Sequence, residues 1–160
     1  SPMRRIELMV GKLLPWTLIA FLDVVMITLL GRALFGIPLR GQPVALALGA
    51  ALFVFASLGM GLLISAIAPS MDTANIIALL IAFLPSFLLS GFTFDLAQVP
   101  TVLQWLAYAF PAQYMVTISR AVFLKGAGVA DLWPEFAALA AYAAVMLGIS
   151  SLLYGRRSSR

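Results

Sequence analysis

Gly41-Gln-Pro-Val-Ala-Leu-Ala-Leu-Gly-Ala-Ala-Leu-Phe-Val-Phe-Ala-Ser-Leu-Gly-Met-Gly-Leu-Leu-Ile-Ser-Ala-Ile-Ala-Pro-Ser-Met71 contains no charged residue. A helix crossing a bilayer needs roughly 20 mainly apolar residues, and this run exceeds that. Stretches 73–94 and 136–155 are equally free of charge. The whole chain is 63% hydrophobic and 10% charged. A soluble domain is nearer about a quarter charged, and a chain this short has too little interior to hide so much apolar surface. Lipid is therefore the expected solvent, and an all-α polytopic membrane protein is the expected fold.

Punctuation divides the chain into a single transmembrane domain, 1–160. Pro2 suits a first helical turn, and 1–12 reads as a cytoplasmic interfacial helix with Ile6, Met9 and Val10 on one face. Spans are predicted at about 13–35, 44–68, 74–89 and 134–154. The segment 36–43 is dense in turn residues, and Pro69 to Thr73 is a short connection that returns the next helix antiparallel. Asp72 with Thr73 is the expected cap of that helix. Trp133 and Tyr154 bracket the last span as interfacial aromatics.

Residues 90–133 read differently. They carry Gln98, Gln104, Gln113, Thr117 and Ser119, and Pro100 and Pro111 split them into short pieces. Pieces of about 10 to 14 residues suit a re-entrant outer helical hairpin better than a full crossing. Four spans place both termini on one side. Arg4, Arg5, Lys12, Arg156, Arg157 and Arg160 share that side, against Arg32, Arg40, Arg120 and Lys125 opposite. The excess favours cytoplasmic termini. It also explains the net charge of +4 without nucleic acid, since the basic residues flank apolar spans.

Chemistry is sparse. With no cysteine and no histidine, disulfides, thiolate zinc sites and Cys or His nucleophiles are excluded. There is no H-E-x-x-H and no G-x-S-x-G, and Gly11-Lys12 lacks the glycine-rich turn of a phosphate loop. Neither enzyme activity nor a cofactor or metal is expected in this chain. Asp23 stands alone inside an apolar span, where a carboxylate costs about 2.5–3.5 kcal/mol, so it is a candidate for transport. A shallow position with a polar neighbour is the plainer reading. Two small-residue stripes, Ser57/Gly61/Ser65 and Ala140/Ala144/Gly148, are candidates for helix packing, within the chain, between subunits or along a moving seam. No small-residue cleavage site marks a signal peptide. The Ser-Pro start without an initiator Met leads us to expect a piece of a longer protein.

Three stretches together resemble type-2 ABC exporter permeases of the multidrug kind. Ser1-Pro2 through Glu7, Gly11-Lys12 and Pro15 is similar to the segment entering that family's third transmembrane helix. Phe35-Gly-Ile-Pro38-Leu-Arg40-Gly41 is similar to an outer loop. Leu89-Ser90-Gly91-Phe92-Thr-Phe94, Val99-Pro100, Pro111 and Ile118-Ser-Arg120 through Lys125-Gly126 resembles the re-entrant hairpin, with Asp95 departing from an expected proline. The resemblance implies the last four of six spans of a permease subunit in the bacterial inner membrane. It implies a dimer, homo- or heteromeric, with a second permease subunit, and a separate ATP-binding cassette ATPase carrying Mg-ATP. The exported substrate would be hydrophobic or amphipathic. Ser90, Gly91, Phe92, Pro111 and Arg120 would gate, with Ser90-Gly91 as hinge, and Arg4, Arg5, Glu7 and Lys12 would lie on the coupling side. Against this stands a small membrane scaffold or assembly subunit without transport.

Overall fold

The computed structural model describes residues 5–36, 38, 40–83 and 100–157. Its regular elements are all helical among the described residues: α1 (Arg5–Phe35), α2 (Pro43–Ile67), α3 (Met71–Ile77) continuing as a π-helical run (Ala78–Phe83), α4 (Thr101–Ala107), α5 (Pro111–Arg120) continuing as a second π-run (Ala121–Lys125), a 3₁₀ turn (Val129–Leu132) and α6 (Trp133–Arg157). Leu14–Leu34, Pro43–Ile67 and Val129–Leu153 are long and apolar enough to cross a membrane. The span expected at 74–89 begins as α3 and its π-run, and its remainder lies outside the described residues.

The separate interfacial helix expected over 1–12 is corrected for its described part. α1 runs unbroken from Arg5, with Pro15 inside it. Apart from Gly11, nothing between Val10 and Leu14 favours a turn, and extending a helix costs less than nucleating another. α2 starts with Pro43 in its first turn, where a missing N–H costs nothing. It ends at Ala68, held extended (φ −68°, ψ 135°) by the steric demand of Pro69. The cap of α3 is Ser70 rather than Asp72 or Thr73. The Ser70 Oγ accepts from the Thr73 N–H at 3.2 Å and lies 2.8 Å from the Thr73 hydroxyl. Asp72 instead faces the positive end of the helix dipole from the first turn. Ser70→Ala is expected to lower stability by about 1 kcal/mol, read as a lower melting temperature in detergent.

α2 is the centre of the molecule. Gly49 meets Ile118 of α5 and Phe136 of α6, and further along Gly59 meets Met146 and Leu147 of α6. α6 therefore runs parallel to α2. The core between α2, α5 and α6 is built from Ala45, Leu46, Ala56, Ile118, Val122 and Leu139, with Phe136 and Ala143. Small residues on α2 let the backbones approach, which is how helices gain contact in lipid. Side chains of α6 bond across the seam: the Ser150 hydroxyl reaches the Gly59 carbonyl at 3.2 Å and its own Met146 carbonyl at 2.7 Å, and the Tyr142 hydroxyl donates to the Met60 sulfur at 3.2 Å.

The expected packing stripes are corrected as far as contact within the chain goes. Ser57, Gly61 and Ser65 are exposed on α2, and Ala140, Ala144 and Gly148 are exposed on α6. A Cβ added at Gly61 or Gly148 would meet nothing within 4 Å. The true seam lies on the neighbouring face of each helix, through Gly49, Ala56 and Gly59 on α2 and Leu139, Ala143 and Ser150 on α6.

Candidate functional site

A groove of about 290 Å³ opens beside α2. Phe53, Ser57, Met60, Gly61 and Ile64 of α2 form its floor, Ala78 and Phe83 of the first π-run form one wall, and Pro111 and Ala112 of α5 form the other. The lining is apolar apart from Ser57. Its level follows from its floor: these residues occupy the middle and later part of a span, at bilayer depth. The bend before α5 lies beside the middle and later part of α2. From there α5 climbs antiparallel to α2 until Val122 reaches Gly41, ahead of the α2 start.

A bend at that depth must satisfy its own backbone, because lipid offers no hydrogen bonds. The Phe110 N–H reaches the Ala107 carbonyl at 3.1 Å, and the Tyr114 hydroxyl donates to the Tyr108 carbonyl at 3.0 Å. Phe110 is extended, as a residue before proline must be, and Pro111 opens α5 as the sequence predicts. Trp105, Tyr108 and Tyr114 stand in a row, with ring centroids 6.4 Å and 6.5 Å apart.

Above the groove, three hydrogen bonds tie the α1–α2 loop to the far end of the hairpin. The Gly41 N–H donates to the Val122 carbonyl at 2.8 Å, the Gln42 N–H to the Ala127 carbonyl at 3.3 Å, and the Val129 N–H to the Gln42 side-chain oxygen at 3.3 Å. This strap forms because the second π-run ends on Gly126, whose φ of 73° is left-handed. The following Ala127 N–H closes back to the Ala121 carbonyl at 3.1 Å. Gly126→Ala has room for its methyl group, since the nearest atom is 3.5 Å away. The backbone conformation alone should cost about 1 kcal/mol, and a lower melting temperature checks it.

Of the sequence candidates, the structure brings together Ser57, Gly61 and Pro111 at the groove. Asp23 is exposed on α1 and does not line it. Arg120 is exposed in the last turn of α5, where a cation suits the helix dipole. Ser90, Gly91, Phe92 and Asp95 lie outside the described residues, as does Arg4, and Arg5, Glu7 and Lys12 belong to α1. Sequence reasoning missed the π-run and Gln113. The Gln113 side chain is 8% exposed, and its amide oxygen has no hydrogen-bond partner. A glutamine between Ala112 and Tyr114 gives no sign of that burial.

Apolar helices packed through small residues around a groove at lipid depth define an all-α polytopic membrane protein. The chain belongs to the ABC-2 type transporter family, whose model matches residues 1–124. It is 36% identical over 153 residues to the probable multidrug ABC transporter permease YbhS of Escherichia coli (strain K12), covering 96% of this chain and 41% of that protein. It is 27% identical over 154 residues to the inner membrane transport permease YhhJ of the same strain, with the same coverage. The probable multidrug ABC transporter permease YbhR of that strain is 25% identical over 133 residues, covering 83% of this chain and 36% of that protein. The chain thus spans about two fifths of the length of these relatives. No solved structure matches it.

Proposed function

We propose that this chain forms the later spans of a permease subunit in an ATP-driven exporter of the bacterial inner membrane, moving hydrophobic or amphipathic molecules outward. The apolar groove at bilayer depth carries this reading. It offers contact to a lipid-soluble molecule, with Ser57 as its polar edge. Family membership supports a separate ATP-binding cassette ATPase holding Mg-ATP and a second permease subunit. Ser90, Gly91, Phe92, Pro111 and Arg120 are gating candidates. Asp23 is a candidate group for a neighbouring subunit or a water-filled path. Cytoplasmic termini are supported by the basic residues at both ends. They also agree with the parallel course of α2 and α6, since α1 precedes α2 by a short loop.

The test uses the protein at its full natural length, co-expressed with its ATP-binding subunit, in inside-out vesicles supplied with a lipophilic dye. Gly61→Leu projects into the groove from a position where an added Cβ meets nothing within 4 Å. ATP-dependent dye uptake should fall about tenfold, equivalent to about 1.4 kcal/mol of lost binding. Uptake equal to wild type, at equal protein level, would remove the groove from the transport path.

A further inference from the structure

Among the described residues two π-runs stand in different mechanical settings. The run Ala121–Lys125 is fastened at both ends. Val122 accepts from Gly41 at 2.8 Å, the Gly126 and Ala127 N–H groups close onto the Ala121 carbonyl, and Ala127 accepts from Gln42 at 3.3 Å. Below it, Ile118 is fully buried and interlocks with Gly49. The strap therefore joins α2, α5 and α6 at the top, while Gly59, Ser150 and Met146 join α2 to α6 lower down. The run Ala78–Phe83 stands on the other side of the groove. It prolongs α3, a short helix with no buried residue, and its Ala78 and Phe83 are open to the groove.

A π-run holds one residue more than an α-helix of the same turns, and single π-turns recur at functional sites. Passing that residue on turns the following side chains by about 100° around the axis, because an α-helix has 3.6 residues per turn. Phe83 belongs to the run and lines the groove, so such a turn moves it relative to the groove floor.

We propose that the groove has one fixed and one movable wall: the strap keeps α2, α5 and α6 a single unit, and a register shift of the 78–83 π-run swings Phe83 towards or away from Ser57 and Gly61. This rests on the transport reading only in supposing that the groove changes shape during a nucleotide cycle.

The chain has no cysteine, so introduced pairs are unambiguous on a background without other cysteines. A Cβ at position 126 lies 3.7 Å from the Arg40 Cβ, close to the roughly 3.8 Å of ordinary disulfides. The full-length protein with its ATP-binding subunit is prepared in nanodiscs as Arg40→Cys/Gly126→Cys and as Gly61→Cys/Phe83→Cys. Oxidation yields are compared without nucleotide and after trapping with Mg-ATP and vanadate. The strap pair should give equal yields in both states. The wall pair should change by about fivefold or more, the low end of conformational coupling. Closing the strap disulfide should leave dye transport at the level of the reduced protein, whereas closing the wall disulfide should abolish it.

A strap yield that depends on nucleotide, or transport lost on closing the strap, overturns the fixed wall. A wall yield that does not change overturns the movable one. If position 126 does not tolerate cysteine, Gln42→Cys/Gly128→Cys bridged by a short bismaleimide probes the same strap, because a Cβ at 128 lies 3.2 Å from the Gln42 side chain. Reduced variants and wild type that all lack ATP-driven transport count against the exporter reading instead.

Discussion

Gly59→Leu is expected to separate α2 from α6 and destabilise the fold by about 3 kcal/mol, the upper end of the usual cost of overpacking. A single added Cβ would already lie 3.0 Å from the Met146 Cβ and 3.3 Å from the Leu147 Cγ. A leucine adds three more carbons at a place where the two backbones approach each other. Gly59 also supplies the carbonyl that Ser150 reaches at 3.2 Å, so forcing the helices apart breaks that hydrogen bond too. The partner experiment is Gly61→Leu, two residues along, where a Cβ meets nothing within 4 Å. Thermal unfolding in detergent should show a large drop for the first variant and almost none for the second. The opposite order would mean that α2 presents its other face to α6.

That pair of variants also marks where sequence reading stopped. The charge-free run 41–71 made α2 legible as a membrane helix, because lipid demands length and apolarity and little else. The same property hid its orientation. Ser57, Gly61 and Ser65 and, on the neighbouring face, Gly49, Ala56 and Gly59 are both small-residue faces, and both are apolar enough for lipid. In water a hydrophobic face would have separated them; in a bilayer it carries no such signal. Pro111 was legible as a helix start because proline acts locally. Its place in a groove was not, since that depends on Phe53, Met60 and Phe83 arriving from elsewhere in the chain. The π-runs have no sequence signature at all. The strap had a partial one, the glycines at 41, 126 and 128, but nothing in the chain pairs Gln42 with Val129 across 87 residues.

The separation into faces gives the chain a division of labour. The buried face of α2 holds the fold, and the exposed face with Ser57 and Gly61 bounds the groove. Substitutions on the first face should lower stability, and with it the amount of protein in the membrane. Those on the second should alter transport at constant amount. Measuring protein level beside dye uptake separates the two.

Gly41→Val tests the strap by itself, and its expected effect rivals that of Gly59→Leu. Gly41 has no need of a special φ; it is glycine because two backbones pass there. A Cβ at 41 would overlap the Ala127 carbonyl oxygen and lie 2.9 Å from the Val122 oxygen and 3.0 Å from the Val122 Cα. All three are main-chain atoms, which cannot swing aside as a flexible side chain does. Valine therefore has to push the loop off the hairpin, breaking the 2.8 Å bond from Gly41 to Val122 and the 3.3 Å bond from Gln42 to Ala127. Two backbone carbonyls, that of buried Val122 and that of partly buried Ala127, lose their donors. Overpacking of this kind costs about 1–3 kcal/mol, and the lost hydrogen bonds add about 1 kcal/mol each. A lower melting temperature and faster proteolysis between 120 and 130 in inside-out and right-side-out vesicles are the expected results, with cleavage confined to the face that carries the strap. Gly11→Ala is the control of opposite sign. It lies within α1 with nothing within 4 Å of an added Cβ, and alanine favours the helix by up to about 1 kcal/mol. If Gly41→Val melts with or above Gly11→Ala, the loop does not rest on the hairpin, and α5 is held against α2 by side-chain packing such as that of Ile118 on Gly49.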